Sequence, residues 1–245
     1  MNLIIGRKPV LEALNSGEKL DQVYILYGQQ GAIINSIITS AKKRGVKVNQ
    51  IPLQKFSSIT SSTNSQGVAA IKSFQKFYEL DEIITASKKE SYPLLLILDS
   101  IQDTHNVGAI LRSAECCGVN GIIITKHNSA PVNETVVKTS AGAVEHLKIC
   151  PVNNLAQSLK ELKRNGYWII GSSLENSKPY TQVDYKIPIA LIVGNEEKGI
   201  RKLTADNCDI LVNIPMKGKI QSLNVSVATG ILLFEILRQR SIVNY

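Results

Sequence analysis

From residue 93 to the end, short apolar runs of strand length alternate with stretches of helical spacing, and this alternation limits the folds open to the chain. Residues 94–98, 121–125, 147–150, 168–172, 189–193 and 210–214 read as strands. Residues 109–117, 133–139, 155–165, a short piece near 200–205 and 223–240 read as helices between or after them. A buried strand followed by a crossover helix returns parallel to itself, so the pattern predicts an α/β fold with a mainly parallel sheet covered on both faces. Ligands of such sheets bind beyond the carboxyl ends of the strands. The loops after Leu98, Ser172, Val193 and Ile214 are therefore where chemistry is expected.

The chain before this region reads as a smaller α/β unit. Residues 9–15 have helical spacing, with Pro9 in the first turn and Asn15 to Gly17 ending the helix. Residues 23–27, 46–51 and 68–71 read as strands. A helix over 33–44 ends in Lys42, Lys43 and Arg44, cations favoured at a helix C-terminus, before Gly45. Residues 56–66 are polar and rich in Ser and Thr. The expected organisation is a unit over 1–76, a linker over 77–92 and a second unit over 93–245.

Charge divides along the same boundary. The formal net charge is +8, and residues 1–76 hold ten Lys and Arg against three Asp and Glu, a net of +7. A basic excess confined to one end suggests a polyanionic partner, nucleic acid being the commonest. No apolar run approaches the roughly 20 residues of a membrane span. MNLIIGRKPV has too short an apolar run for a secretory signal, so a cytoplasmic protein without membrane contact is expected. Cys116, Cys117, Cys150 and Cys208 form no Cys-x-x-Cys pair and read as buried free thiols. His105, His127 and His146 have no ligand spacing, so no metal site is expected. The glycine patterns are neither a Walker loop nor a dinucleotide turn.

Three strand-end loops carry the polar residues. In 99–108, Asn106 and Gly108 are placed at a helix entrance, where free backbone N–H groups attract anions, and Arg112 follows among small and apolar neighbours. In 194–199, Gly194 and Gly199 flank Glu196 and Glu197, and a glycine there permits close backbone approach by a ligand. The loop 215–224 delivers Ser222 and Asn224, both good helix-capping residues, to the last helix. That helix is apolar nearly all round, so a second buried face is expected, in the chain or against another subunit.

Three segments, LDSIQDTHNVGAILRSAECCGV (98–119), IVGNEEKGI (192–200) and IPMKGKIQSLNVSVATGILLFEILRQR (214–240), resemble the signature motifs of the SpoU/TrmH-type RNA 2′-O-ribose methyltransferases of the SPOUT superfamily. GRKPVLEAL (6–14) and QGVAA (66–70) resemble the N-terminal substrate-binding domain of members that modify a guanosine of 23S ribosomal RNA. The resemblance implies a catalytic domain with a deep trefoil knot, S-adenosyl-L-methionine as cofactor, a homodimer whose active sites are completed across the interface, and an RNA-binding domain similar to small ribosomal proteins. Carried over by position, it implies catalytic roles for Asn106, Arg112, Glu196, Ser222 and Asn224, with Glu196 expected to pair with Arg112. It implies cofactor contacts at Gly194, Ile214 and Leu223. Members commonly have Asp-Pro where this chain has Asp103-Thr104, which removes a φ restriction from that loop. Two alternatives remain open: transfer-RNA methylation, and a non-catalytic RNA-binding member of the fold. Transfer-RNA members tend to lack the N-terminal domain and carry basic terminal extensions, unlike the short tail 241–245.

Overall fold

The computed structural model describes residues 3–60, 65–72, 76–219 and 222–240. The chain divides into two compact units, Met1–Gln75 and Lys76–Tyr245.

The first unit runs β1 (Leu3–Ile5), α1 (Arg7–Ser16), β2 (Leu20–Leu26), α2 (Ala32–Lys43), β3 (Lys47–Ile51), α3 (Leu53–Ile59) and β4 (Val68–Lys72). Its sheet order is β1-β4-β2-β3, with β4 antiparallel to both β1 and β2 and with β2 parallel to β3. Val10, Ala13 and Leu14 of α1 and Ile34, Ile37 and Ala41 of α2 pack on Val23, Ile25, Val68 and Ala70. Phe56 of α3 covers the other face with Ile51 and Ala69. The polar stretch expected at 56–66 thus begins inside a helix anchored by one aromatic residue, while 61–64 lie outside the described residues.

The second unit runs α4 (Leu80–Ser87), β5 (Leu94–Asp99), α5 (Thr104–Cys116), β6 (Gly121–Thr125), α6 (Glu134–Thr139), β7 (Ile149–Val152), α7 (Leu155–Arg164), β8 (Trp168–Ser172), β9 (Lys178–Pro179), β10 (Ile189–Gly194), α8 (Lys202–Ala205), β11 (Ile210–Asn213) and α9 (Val225–Arg240). Among the described residues its strands form one seven-stranded sheet, β7-β6-β5-β10-β8-β11-β9, with neighbouring strands parallel throughout. The α/β expectation therefore holds.

Alternate residues of β5 serve opposite layers. Leu94, Leu96 and Leu98 join Ile110 and Leu111 of α5 and Leu232, Leu233 and Ile236 of α9. Leu95 and Ile97 join Ile83 and Ile84 of α4 and Leu159 and Leu162 of α7. This is the period-2 alternation of a strand buried on both faces.

Three details differ from the sequence-based reading. The stretch 77–92 is no linker: Phe77 bridges to Ile149, and α4 buries Ile83 and Ile84 in the second unit's core. Gly121 leaves the space, since a Cβ there would lie 2.4 Å from Ile83 Cγ2. Next, α5 starts at Thr104, because the Asp103 carboxylate accepts from His105 N at 2.8 Å and caps the helix. Gly108 then serves packing rather than anion binding, a Cβ there falling 1.7 Å from Thr139 Oγ1 of α6. Finally, Cys116 is exposed, unlike Cys117 and Cys150. The tail 241–245 lies outside the described residues, among which no helix is long and apolar enough to cross a membrane.

The far end of α9 is pinned by Arg240, which donates to the carbonyl oxygens of Tyr92, Tyr185 and Ile187 at 2.7–2.9 Å. Burial pushes its guanidinium down to about 10, still charged at neutral pH.

If 77–92 is part of the folded unit, Ile83→Ala should lower its stability by about 2–5 kcal/mol, the cost of a large-to-small core change. A linker residue would shift it by no more than roughly 0.5 kcal/mol. Urea unfolding of the full chain measures the difference.

Candidate active site

The site is built at the carboxyl edge of the large sheet, where β5 and β10 end side by side with Gly194 opposite Asp99. After Gly194 the chain closes a tight turn. Asn195 and Gly199 exchange backbone hydrogen bonds of 3.0 and 2.8 Å, and the Asn195 side-chain oxygen accepts from the N–H groups of Glu197 and Lys198 at 3.0 and 3.2 Å. This is an Asx-type turn, stable because the side chain replaces a backbone acceptor. The turn exit is held by Asp99, fully buried, which accepts from Arg201 Nε at 2.7 Å and from Arg201 N at 3.1 Å.

The turn presents Glu196 to two other loops. Glu196 Oε1 accepts from Asn106 Nδ2 at 2.8 Å, from Asn224 Nδ2 at 2.6 Å and from Val225 N at 3.4 Å. Asn224 Nδ2 also donates to Asn106 Oδ1 at 3.0 Å, closing a triangle. Asn106 is buried in the first turn of α5. Asn224 caps α9, its Oδ1 accepting from Ser226 N at 2.9 Å. The three strand-end loops singled out in the sequence thus meet at one carboxylate, and such charge-assisted bonds are the stronger kind.

Beside the triangle lies a cavity, partly open to solvent. Gly194, Ile214 and Leu223 all line it, together with Ser222 and Glu196. Its rim includes exposed apolar side chains: Leu174 at 60%, Met216 at 36% and Leu223 at 38% exposure. Ser172, Ser173 and Asn213 add polar groups from the ends of β8 and β11. An apolar mouth with a few polar groups and bare backbone suits a nucleoside bearing a short polar chain.

Arg112 does not join this cluster. It is exposed on α5 and makes no ion pair with Glu196, whose bonded oxygen is already taken by the two asparagines. The expected Glu196–Arg112 pair is therefore not formed within the chain. Gly194 also has a role in the turn itself, beside the ligand approach read in the sequence. A Cβ there would lie 2.3 Å from the carbonyl carbon and oxygen of Gly199 and from Ile200 N, so its own turn demands the glycine before any ligand does. Asn195, Asp99 and Arg201 were missed as site-builders. The Gly-Asn pair at a strand end was the available signal for the turn, whereas nothing local ties Asp99 to Arg201.

The sequence model described as the SpoU rRNA Methylase family matches residues 93–234, and that described as RNA 2′-O ribose methyltransferase substrate binding matches residues 3–77. The chain belongs to the SpoU rRNA methylase family. A protein of Staphylococcus haemolyticus named as a TrmH family tRNA/rRNA methyltransferase is 37% identical over 97% of this chain and 96% of its own. A Bacillus subtilis protein named likewise is 36% identical with the same coverage. Among solved structures, an AdoMet-bound rRNA methyltransferase from Sinorhizobium meliloti aligns with TM-score 0.64 and 28% identity, over 98% of this chain and 87% of that one. In this SpoU member the three signature segments are the three loops that meet at Glu196.

The Gly194 geometry makes a direct prediction. Gly194→Ala should destabilise the protein by about 1–3 kcal/mol, the cost of forcing a methyl group into packed backbone. Gly194 is not among the glycines of positive φ, so the loss read by urea unfolding is the steric cost alone. A loss below roughly 0.5 kcal/mol, the scale of a neutral surface change, would refute it.

Proposed function

We propose that this SpoU-family protein is an S-adenosylmethionine-dependent RNA 2′-O-ribose methyltransferase acting on a guanosine of 23S ribosomal RNA in the cytoplasm. The observation that carries the reading is the hydrogen-bonded meeting of Asn106, Glu196 and Asn224 beside the cavity lined by Gly194, Ile214 and Leu223. When bound, S-adenosylmethionine supplies a methyl group activated by a sulfonium centre. Leu174, Met216, Ile214 and Leu223 would hold its adenosine by apolar contact, with Ser172, Ser173, Ser222 and Asn213 offering hydrogen bonds. The family's knotted chain path is part of the proposal.

The protein's share of the chemistry is orientation and proton handling. Glu196, held by two asparagines, fixes the three loops relative to the cavity. Arg112 would bind the target nucleotide's phosphate and 2′-oxygen in fork geometry. Arg112 is a donor-only side chain here, and a phosphate oxygen or water takes the proton instead. Ribosomal rather than transfer RNA is favoured by the presence of the first unit, a match to the RNA 2′-O ribose methyltransferase substrate-binding family over residues 3–77 that transfer-RNA members tend to lack. The intact triangle argues against a non-catalytic member.

A homodimer explains Arg112. On α9, Val227 at 51% and Phe234 at 54% exposure flank the half-buried Gly230 and Ile231 in one apolar stripe. Gly230 faces Ser113, the neighbour of Arg112 on α5. A partner seated on this stripe would cover it and bring Arg112 toward the second active site.

Arg112→Ala should leave S-adenosylmethionine affinity unchanged by calorimetry and slow single-turnover methyl transfer to ribosomal RNA by about 10²–10³-fold, as when one transition-state donor is removed. Arg112→Lys should recover little of it. A near-normal Arg112→Ala rate would remove the role. Phe234→Glu should convert the dimer to a folded monomer in sedimentation at micromolar concentration and abolish transfer. A fully active monomer would refute completion across an interface. Mapping 2′-O-methyl groups in ribosomal and transfer RNA from cells lacking the protein identifies the substrate.

A further inference from the structure

The first unit carries a groove with chemistry of its own, formed where the start of α1, the loop after β2 and the turn before β4 come together. Arg7, Lys8, Gln29, Gln66 and Gly67 line it. Arg7 organises it. Its guanidinium donates to the Gln29 side-chain oxygen through one terminal nitrogen and to the Gln66 carbonyl oxygen through Nε at 3.1 Å. Its backbone N–H donates to Gln66 Oε1 at 3.3 Å.

These contacts settle which way both carboxamides face. Arginine has donors only, and so has a backbone N–H. Whatever lies against Arg7 must therefore be the amide oxygen, and each glutamine turns its NH₂ group to the other side. Neither NH₂ group is bonded to any described residue. The Gln29 side chain also lies flat over Gly67, where a Cβ would be 2.6 Å from its Cδ, so its position is fixed from below as well. Lys8, exposed and unpaired among the described residues, stands at the edge.

We infer that this groove is a nucleotide-recognition site, in which the two oriented carboxamides donate to the carbonyl or ring-nitrogen acceptors of an unpaired base while Lys8 takes its phosphate. The inference rests on the reading that the chain acts on RNA and assigns that contact to named residues. RNA is read chiefly at unpaired nucleotides whose base edges are free. A carboxamide usually offers a donor and an acceptor together. Here Arg7 occupies the oxygens and leaves donors facing outward, which suits the acceptor edge of guanine or uracil. Arg7 is a positioning residue, and the glutamines make the contact.

Exchange of an amide for its isosteric acid tests this without disturbing the scaffold. Gln29→Glu and Gln66→Glu keep the oxygen that Arg7 needs and replace the outward donors with an acceptor. Gln54→Glu, on the exposed face of α3, makes the same charge change elsewhere. The probe is a fluorescent single-stranded oligouridylate, followed by anisotropy with the full chain at several salt concentrations. Each groove variant should bind about tenfold more weakly than Gln54→Glu, as expected for losing one or two directed hydrogen bonds. S-adenosylmethionine affinity and melting temperature should match the wild type. Should Gln29→Glu lower the melting temperature, Gln66→Glu decides alone. Groove variants that bind as tightly as Gln54→Glu overturn the site while leaving the RNA reading in place. A wild-type chain that retains neither oligouridylate nor ribosomal RNA overturns that reading itself.

Discussion

The carboxyl edge of the large sheet is organised around a missing side chain. At Gly194, where β10 ends, the backbone of Gly199 and Ile200 approaches to within 2.3 Å of where a Cβ would stand. Only glycine allows the chain to turn back this closely on its own strand. The turn is then secured on both sides, by the mutual hydrogen bonds of Asn195 and Gly199 and by the buried Asp99 carboxylate gripping Arg201. Parallel register makes the second clamp possible, since Asp99 is the residue opposite Gly194. The placement of Glu196 follows from these constraints.

Glu196 in turn decides how three loops meet. A carboxylate oxygen accepting from two asparagine amides and a helix-entry N–H costs less to desolvate than an unpaired charge. It gives α5, the 194–199 turn and α9 one shared fixed point. The arrangement is better suited to precision than to bulk stability, because Glu196 itself is exposed to solvent. It also frees Arg112 from any duty within the chain. A cation left exposed on a helix of small and apolar neighbours is available to a phosphate, which is the property the proposed chemistry requires.

The last helix ties site to scaffold. Its first turn is capped by Asn224, a member of the triangle, and its last residue is Arg240, bonded to three carbonyl oxygens. Between these ends Leu232, Leu233 and Ile236 enter the core while Val227 and Phe234 remain uncovered. One element thus fixes the site, closes one layer and leaves an apolar stripe uncovered.

Much of this was legible in the chain itself. Strand–helix alternation gave the parallel α/β class, because burial on both faces forces continuous apolar strands. The polar residues at strand ends and their resemblance to SpoU motifs picked out Asn106, Glu196, Ser222 and Asn224, and the uneven charge marked off the basic unit. Local patterns could not reveal contacts made over long sequence separations. That α4 belongs to the second core depends on Gly121 leaving room for Ile83. That Gly108 is a packing residue depends on Thr139 of a later helix. That Glu196 bonds Asn106 and Asn224 instead of Arg112 depends on where the 194–199 turn aims its carboxylate. In each case periodicity and capping chemistry act over a few residues and specify the elements, whereas close approach between elements is fixed only when the whole sheet has chosen its register.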